Sequence, residues 1–148
     1  MLREVHDEER PTFFGHQLSS DAQRMAGLPG LPRDNFMAHW RQRILADSSV
    51  VKRTIVSGDE VVGNILSWNE NDRRFVGYWI GQQHWGQGIA TAALVEFLLS
   101  DPARPLWARV TLQNHASIRV LQKSGFHQVS TAEVGADGLE EYVFRLDA

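Results

Sequence analysis

A β-prone aromatic run, Gly77-Tyr78-Trp79-Ile80-Gly81, passes through Gln82-Gln83-His84 into Trp85-Gly86-Gln87-Gly88, and then into an apolar helical pattern that starts Ile89-Ala90-Thr91. A strand feeding a glycine-rich turn into a helix start restricts the chain to folds in which sheet and helix meet at a tight corner. The free N–H groups of the first helical turn point away from the helix, and the helix dipole favours an anion there. Glycine lets the backbone approach closely because no Cβ intervenes. The same two glycines also serve turn geometry alone, and the residues leave both uses open. The two common nucleotide loops are excluded. No Lys-Ser/Thr follows the second glycine, and the three-glycine dinucleotide spacing with its later acidic residue is missing.

Around this corner the remaining pattern reads as a mixed α/β sheet domain. Leu2 to Val5 suits a short first strand. The polar segment Asp7 to Arg33 carries Pro11, Pro29, Pro32, Gly27 and Gly30; within it Asp21 to Ala26 suits a short helix capped by Ser19 or Ser20. Asp34 is a cap for a second helix, Asn35 to Leu45, in which Phe36, Trp40 and Ile44 form an apolar stripe. Val50–Ser57, Val61–Trp68 and Arg74–Gly81 read as a meander with turns at Gly58-Asp59 and Asn69–Asp72. Ile89 to Leu99 is a helix that packs through Ile89, Ala93, Leu94, Phe97 and Leu98, and Ser100-Asp101-Pro102 ends it.

Leu106, Ala108, Val110 and Leu112 alternate with Trp107, Arg109, Thr111 and Gln113, a strand with one apolar face. Asn114 caps a helix from His115 to Lys123, and Gly125 suits a left-handed stop. Two final antiparallel strands, Phe126–Thr131 and Glu141–Leu146, join near Gly135 to Gly138. The predicted fold class is therefore α/β (α+β), with a mixed, mostly antiparallel sheet of about six to seven strands flanked by about four helices.

Composition narrows the function classes. With 148 residues and 43% hydrophobic content, the expectation is one domain, 1–148, that folds without metal or disulfide staples. The absence of Cys excludes a disulfide, a Cys-zinc site and a cysteine nucleophile, in keeping with a cytoplasmic location. Early acidic residues argue against a secretory signal, and no apolar run is long enough to span a bilayer, so no membrane association is expected. A net charge of -3 argues against a broad nucleic-acid footprint. No metal site is expected, because His115 and His127 lack a third partner at ligand spacing.

Two stretches together carry a family resemblance. Tyr78 to Gly81 with Trp85 to Thr91 resembles the acetyl-CoA pyrophosphate motif of the GCN5-related N-acetyltransferase (GNAT) superfamily. Asn114-His115-Ala116-Ser117 with Lys123-Ser124-Gly125-Phe126 resembles its second CoA-binding segment. The branch it looks like includes ribosomal-protein N-terminal acetyltransferases, and the Met25-Ala26 and Phe36 to Trp40 regions fit that branch. The resemblance implies that acetyl-CoA is the cosubstrate and that its pyrophosphate sits on Trp85, Gly86, Gln87, Gly88, Ile89, Ala90 and Thr91. The pantetheine would run along Trp79, Ile80 and Gly81 as an added strand, in a V-shaped gap beside the next strand. Asn114 and Ser117 would face the thioester.

The chain departs from the family at three places. Trp85 opens the loop where Arg or Gln is usual. Leu121 stands where many members place a general-acid Tyr, and Phe75 where a carboxylate often precedes Gly-Tyr.

Acetylating an amine requires a neutral nitrogen, whereas only about one lysine-like amine in a thousand is neutral at pH 7. The chemistry therefore asks for a proton acceptor, an oxyanion donor and a proton donor for the leaving thiolate. The candidate oxyanion donor is a main-chain N–H near Ile80. Ser117 is the candidate thiol-side donor or else a first-turn helix hydroxyl, and Asn114 a cofactor contact or the helix cap. Glu70 is a base acting through water or an exposed hairpin carboxylate.

His84 is a solvent-facing or phosphate-side histidine. Lys123, four residues after Arg119 on one helix face, meets CoA phosphates or forms part of a solvated stripe. Trp68 and Phe36 are expected by resemblance to line the acceptor pocket.

The leading reading is direct acetyl transfer from acetyl-CoA to a primary amine of a small molecule or a protein N-terminus. A non-catalytic acyl-CoA-binding or regulatory module on the same fold is the alternative, and a purely structural domain the third. Protein N-termini, polyamines, aminoglycoside-like drugs and amino-acid derivatives all fit as acceptors. A homodimer through the final strands is compatible with the fold.

Overall fold

Three consecutive antiparallel strands, β2 (Val51–Ser57), β3 (Glu60–Glu70) and β4 (Arg73–Ile80), form the body of a meander that β1 (Leu2–Arg3) extends at its outer edge. This computed structural model describes residues 1–26, 30–134 and 140–148. The turns match their chemistry: Gly58 has φ 61, and Asn71 and Asp72 take φ 50 and 63, as a tight hairpin demands of its two central residues. The second turn is thus shorter than the expected Asn69–Asp72, and Asn69 and Glu70 stay in β3.

β5 (Leu106–Thr111) runs parallel to β4, and β7 (Glu140–Leu146) and β6 (His127–Val134) complete a seven-stranded sheet in the order β1-β2-β3-β4-β5-β7-β6. The fold class expected from sequence holds, with five helices among the described residues: α1 (Arg10–His16), α2 (Ser20–Ala26), α3 (Arg33–His39), α4 (Ile89–Ser100) and α5 (His115–Lys123). Of the pair Pro29 and Pro32 expected to break α2, Pro29 lies outside the described residues, as does the β6–β7 connection near Gly135 to Gly138, while Pro32 caps the next helix.

Side chains alternate across the sheet, so each strand serves two helical layers. One face carries Ile65, Val76, Leu106 and Phe144 against Leu94 and Phe97 of α4 and Leu121 of α5. Phe97 and Leu94 are fully buried, worth about 1.5–3 kcal/mol each relative to exposure. Of the expected α4 contacts, Leu98 is only partly buried. On the other face Phe13, Phe36, Trp40 and Ile44 form a second cluster with Leu66 and Trp68.

Two buried acids pin this framework. Asp101, at the end of α4, accepts hydrogen bonds from Ser67 Oγ and from Arg74 Nε at 2.9 Å. Burial works to raise its carboxyl, but Ser67, the Ala103 N–H and Arg74 outweigh it and hold it below the usual value of 3.8. Glu9 is treated alike: burial opposes ionisation, while Arg3, the His6 N–H and Thr54 hold the carboxyl below 4.5.

Several local expectations need correction. Helix α1 falls inside the segment read as merely polar. Helix α3 begins at Arg33 with Pro32 as its cap, so Asp34 lies in the first turn, and the chain continues from Trp40 to Leu45 as a π-helical turn. Thr111, expected on a polar face, is buried because its hydroxyl donates to the Met25 carbonyl at 2.8 Å.

Candidate active site

The site originates where the sheet opens. β4 and β5 are registered through Arg74–Leu106 and Phe75–Trp107 and then part. The Gly81 N–H bonds the Val62 carbonyl at 2.8 Å, so antiparallel alternation turns the main-chain groups of Ile80, Tyr78 and Val76 away from β3, toward the gap. The expected V-shaped slot is present. It widens into a cleft of 540 Å³ between β4, the glycine loop and α5. That is the size of a small-ligand site, roughly 300–1,000 Å³.

The loop is shaped for an anion. Gly86 and Gly88 take φ 77 and 75, in the left-handed region that favours glycine. Gly88 occupies the N-cap of α4 without a side-chain cap, and the first turn contains no acidic residue. Among the described residues no side chain caps the first N–H groups of α4. Trp85 donates its indole N–H to the Ile80 carbonyl at 2.9 Å, tying the loop to the end of β4. The usual Arg or Gln is thereby replaced by a side chain that fixes the loop's place.

α5 forms the facing wall. Asn114 Oδ1 accepts from the Ser117 N–H at 3.2 Å, the cap that its spacing suggests. Its Nδ2 donates to the Met25 carbonyl at 3.2 Å, so Asn114 also ties down the end of α2. The other end of α2 is held by Gln82, which bonds Ser19 and donates to Asp21 at 3.1 Å. Helix α2 therefore straps the loop after β4 to the region where β5 gives way to α5. Ser117 Oγ lies 2.6 Å from the Tyr78 hydroxyl, and both face the cleft.

Charge is distributed unevenly. Among the described residues no Asp or Glu lines the cleft, whereas Arg119, Lys123, His84 and His115 do. In a chain of net charge -3 this is a local reversal of sign that suits a phosphate-bearing ligand. Beneath the loop, His84 Nε2 lies 3.2 Å from Glu60 Oε2 without hydrogen-bond geometry. Burial first, then the neighbouring His84, pushes the His16 imidazole below its usual value.

The cleft brings together Trp79, Ile80, Trp85, Gly86, Gly88, Ile89, Ala90, Thr91, Asn114, Ser117 and Lys123 from the sequence-derived set. Gln87 belongs to the loop but not to the lining, and Gly81 packs against His16, where an added Cβ would lie 2.9 Å from the ring.

Glu70 is placed elsewhere. It lies beyond the closed end of the slot and accepts from Arg109 at 2.6 Å, which holds its carboxyl below the usual value. Phe36 is buried in the second apolar cluster, and Trp68 covers Gly77 and stacks on Phe75, so neither lines the cleft. Sequence reasoning missed Tyr78 as a cleft residue. The signal was available, since alternation sets Tyr78 on the face of Val76 and Ile80, opposite Trp79.

The Acetyltransferase (GNAT) domain model matches residues 1–127. The chain belongs to the GNAT acetyltransferase family. It is 33% identical over 89 residues to a protein from Bacillus licheniformis named uncharacterized N-acetyltransferase p20. That match spans 55% of this chain and about half, 47%, of the relative.

Among solved structures, this GNAT chain superposes on aminoglycoside acetyltransferase AAC(6')-Ib in complex with coenzyme A. The TM-score is 0.77 at 20% identity, over 97% of this chain and 92% of that one. A spermidine N-acetyltransferase SpeG chimera from Vibrio cholerae and hSSAT gives a TM-score of 0.81 at 11% identity, covering 99% and 94%. At such identities the likeness is one of fold. Among the described residues no group of side chains is arranged to hold a metal, and no helix is long and apolar enough to cross a membrane.

Proposed function

We propose that this chain, as a single GNAT domain, transfers the acetyl group of acetyl-CoA directly to a primary amine. The observation that carries the reading is the cleft itself. One end offers the uncapped N–H groups of α4 with Lys123 and Arg119, the other the unpaired edge of β4, and among the described residues no carboxylate lies between. A pyrophosphate fits the first end, and an amide-bearing pantetheine arm fits the second by completing the strand edge.

In this reading the Ile80 N–H donates to the carbonyl oxygen as the amine attacks, and Ser117 donates toward the departing sulfur. With Glu70 held by Arg109, the amine proton leaves to water rather than to a carboxylate of the cleft. The acceptor is a small-molecule amine or a protein N-terminus. The solved relatives named for aminoglycosides and spermidine support the first, and the resemblance to the ribosomal-protein branch supports the second.

A thiol-release assay with acetyl-CoA against pooled amines tests the reading, alongside calorimetric titration with acetyl-CoA. Saturable binding with thiol release in the presence of one amine class is expected. No binding at high micromolar cofactor would end the proposal. The position Leu121 favours a second reading, a non-catalytic acyl-CoA-binding module, because many family members carry an acid there. Tight binding without turnover on any amine would support that alternative.

A further inference from the structure

Leu121 follows Ser117 by one helical turn, so the two lie on the same face of α5, and Leu121 is fully buried and apolar. The helix therefore supplies no phenol to the thiol end of the cleft. The opposite wall does. Tyr78 projects from β4, two residues before Ile80, and its Oη lies 2.6 Å from Ser117 Oγ. That is within the range for a good O–H···O hydrogen bond, about 2.5–3.0 Å.

Ser117 has one hydrogen and two lone pairs, and Tyr78 is the more acidic hydroxyl and so the stronger donor. When the phenol donates, the Ser117 hydrogen is left free to point into the cleft. We propose that Tyr78 is the positioning residue for the leaving thiol: its phenol donates to Ser117 Oγ and aims the Ser117 hydrogen at the sulfur. This rests on the acetyl-transfer reading above.

In the reaction the amine nitrogen bonds the carbonyl carbon, the carbon–sulfur bond breaks, and its electron pair stays on sulfur. The proton shed by the amine reaches the thiolate through water. Tyr78 and Ser117 both keep their protons and act by hydrogen bonding alone. The phenol is suited to this, because burial pushes it up to about 12, with the Ser117 contact only partly offsetting that effect. It remains a donor across the range in which a thiol titrates, near ~8.5.

The arrangement also explains how Leu121 is tolerated. One strand then presents the oxyanion donor at Ile80 and, two residues earlier, the group that orients the sulfur donor.

The test uses Tyr78→Phe, Ser117→Ala, Ser117→Thr and the double variant Y78F/S117A. Free CoA is bound to each, and its thiolate ultraviolet absorbance is followed against pH. A donor chain aimed at sulfur stabilises the thiolate. The bound thiol should therefore titrate about one pH unit lower in the wild type than in Y78F, a tenfold shift in its acidity. Ser117→Ala, which leaves the ring in place, should show the same loss, and Ser117→Thr should restore the wild-type titration.

In steady-state transfer, each single loss should lower kcat about tenfold or more while the KM for acetyl-CoA stays within about threefold. The double variant should be no slower than the slower single one. Equal thiol titration in wild type and Y78F would overturn the proposal. So would losses that multiply in the double variant, or a loss confined to KM, since these mark a merely structural bridge between β4 and α5. If CoA binds but no amine is acetylated, the transfer reading fails while the thiol titration still decides the role of Tyr78. If CoA does not bind, both fall.

Discussion

Replacing Gly88 by Ala isolates the backbone contribution of the loop. Gly88 holds φ +75, and no atom lies within 4 Å of where a Cβ would stand. A methyl group there meets nothing, so the whole effect is conformational. An L-residue in the left-handed region costs about 1–2 kcal/mol. The chain can relieve that strain only by letting the loop leave the geometry that directs the first N–H groups of α4 into the cleft. Once the competent loop is a minority, the apparent Kd rises as the inverse of its population. At about 1.4 kcal/mol per decade, G88A should weaken CoA binding by up to about 5–30-fold. Asn tolerates this region better than Ala and should lose less, while Val should lose more. Calorimetric titration of G88A, G88N and G88V with CoA reads the order directly. Ala binding as tightly as Gly, or Asn binding more weakly than Ala, would refute the backbone argument.

Four further outcomes follow from the described contacts. Asp101→Ala leaves the guanidinium of Arg74 buried without its carboxylate and should cost about 3–5 kcal/mol in urea unfolding; a change under about 1 kcal/mol would mean the pair is solvated. Because the Asp101 and Glu9 carboxyls are held below 3.8 and 4.5 in the fold, their stabilisation is complete above those values. It should drain away as pH falls through the folded values, so a melting temperature that stays flat from roughly pH 5 to pH 2 would contradict the assignment. Gly63→Ala puts a Cβ 2.2 Å from the Trp79 carbonyl oxygen, forcing β3 and β4 apart. It should destabilise by about 1–3 kcal/mol, and an unchanged melting temperature would show that the strands have room to yield. Finally, Arg119→Glu with Lys123→Glu should weaken CoA binding, more so at low salt, yet leave a phosphate-free acetyl-pantetheine analogue unaffected. Equal weakening of both ligands would place these cations away from the phosphates.

Much of the sheet and the glycine corner was legible because each rests on local rules. Alternation marked β2 to β5, the Asn114 cap and the Gly125 stop bounded α5, and the Gly-x-Gly step marked the start of α4. Helix α1 escaped because its apolar content is mainly the adjacent pair Phe13-Phe14, although Pro11 in a first turn is a start signal. The π-helical turn had a subtler trace. Phe36, Trp40 and Ile44 recur every four residues, and each such step overshoots a full α-helical turn by about 40°. The wider turn from Trp40 corrects that drift and keeps the three on one buried face. Contacts such as Asp101 with Ser67 and Arg74, Glu70 with Arg109, and Tyr78 with Ser117 join residues 27 to 39 positions apart. No window of sequence contains both partners, so the identity of the cleft's walls was readable and the hydrogen bonds between them were not.

The two residue pairs joining β4 to β5 make the sheet resemble two leaves of a book stitched at one corner. Away from the stitch, the facing edges keep donors and acceptors that no strand among the described residues reaches. If the cofactor lies along that margin as proposed above, its arm is the missing rung, and the sheet would then be completed by the cofactor rather than by the polypeptide.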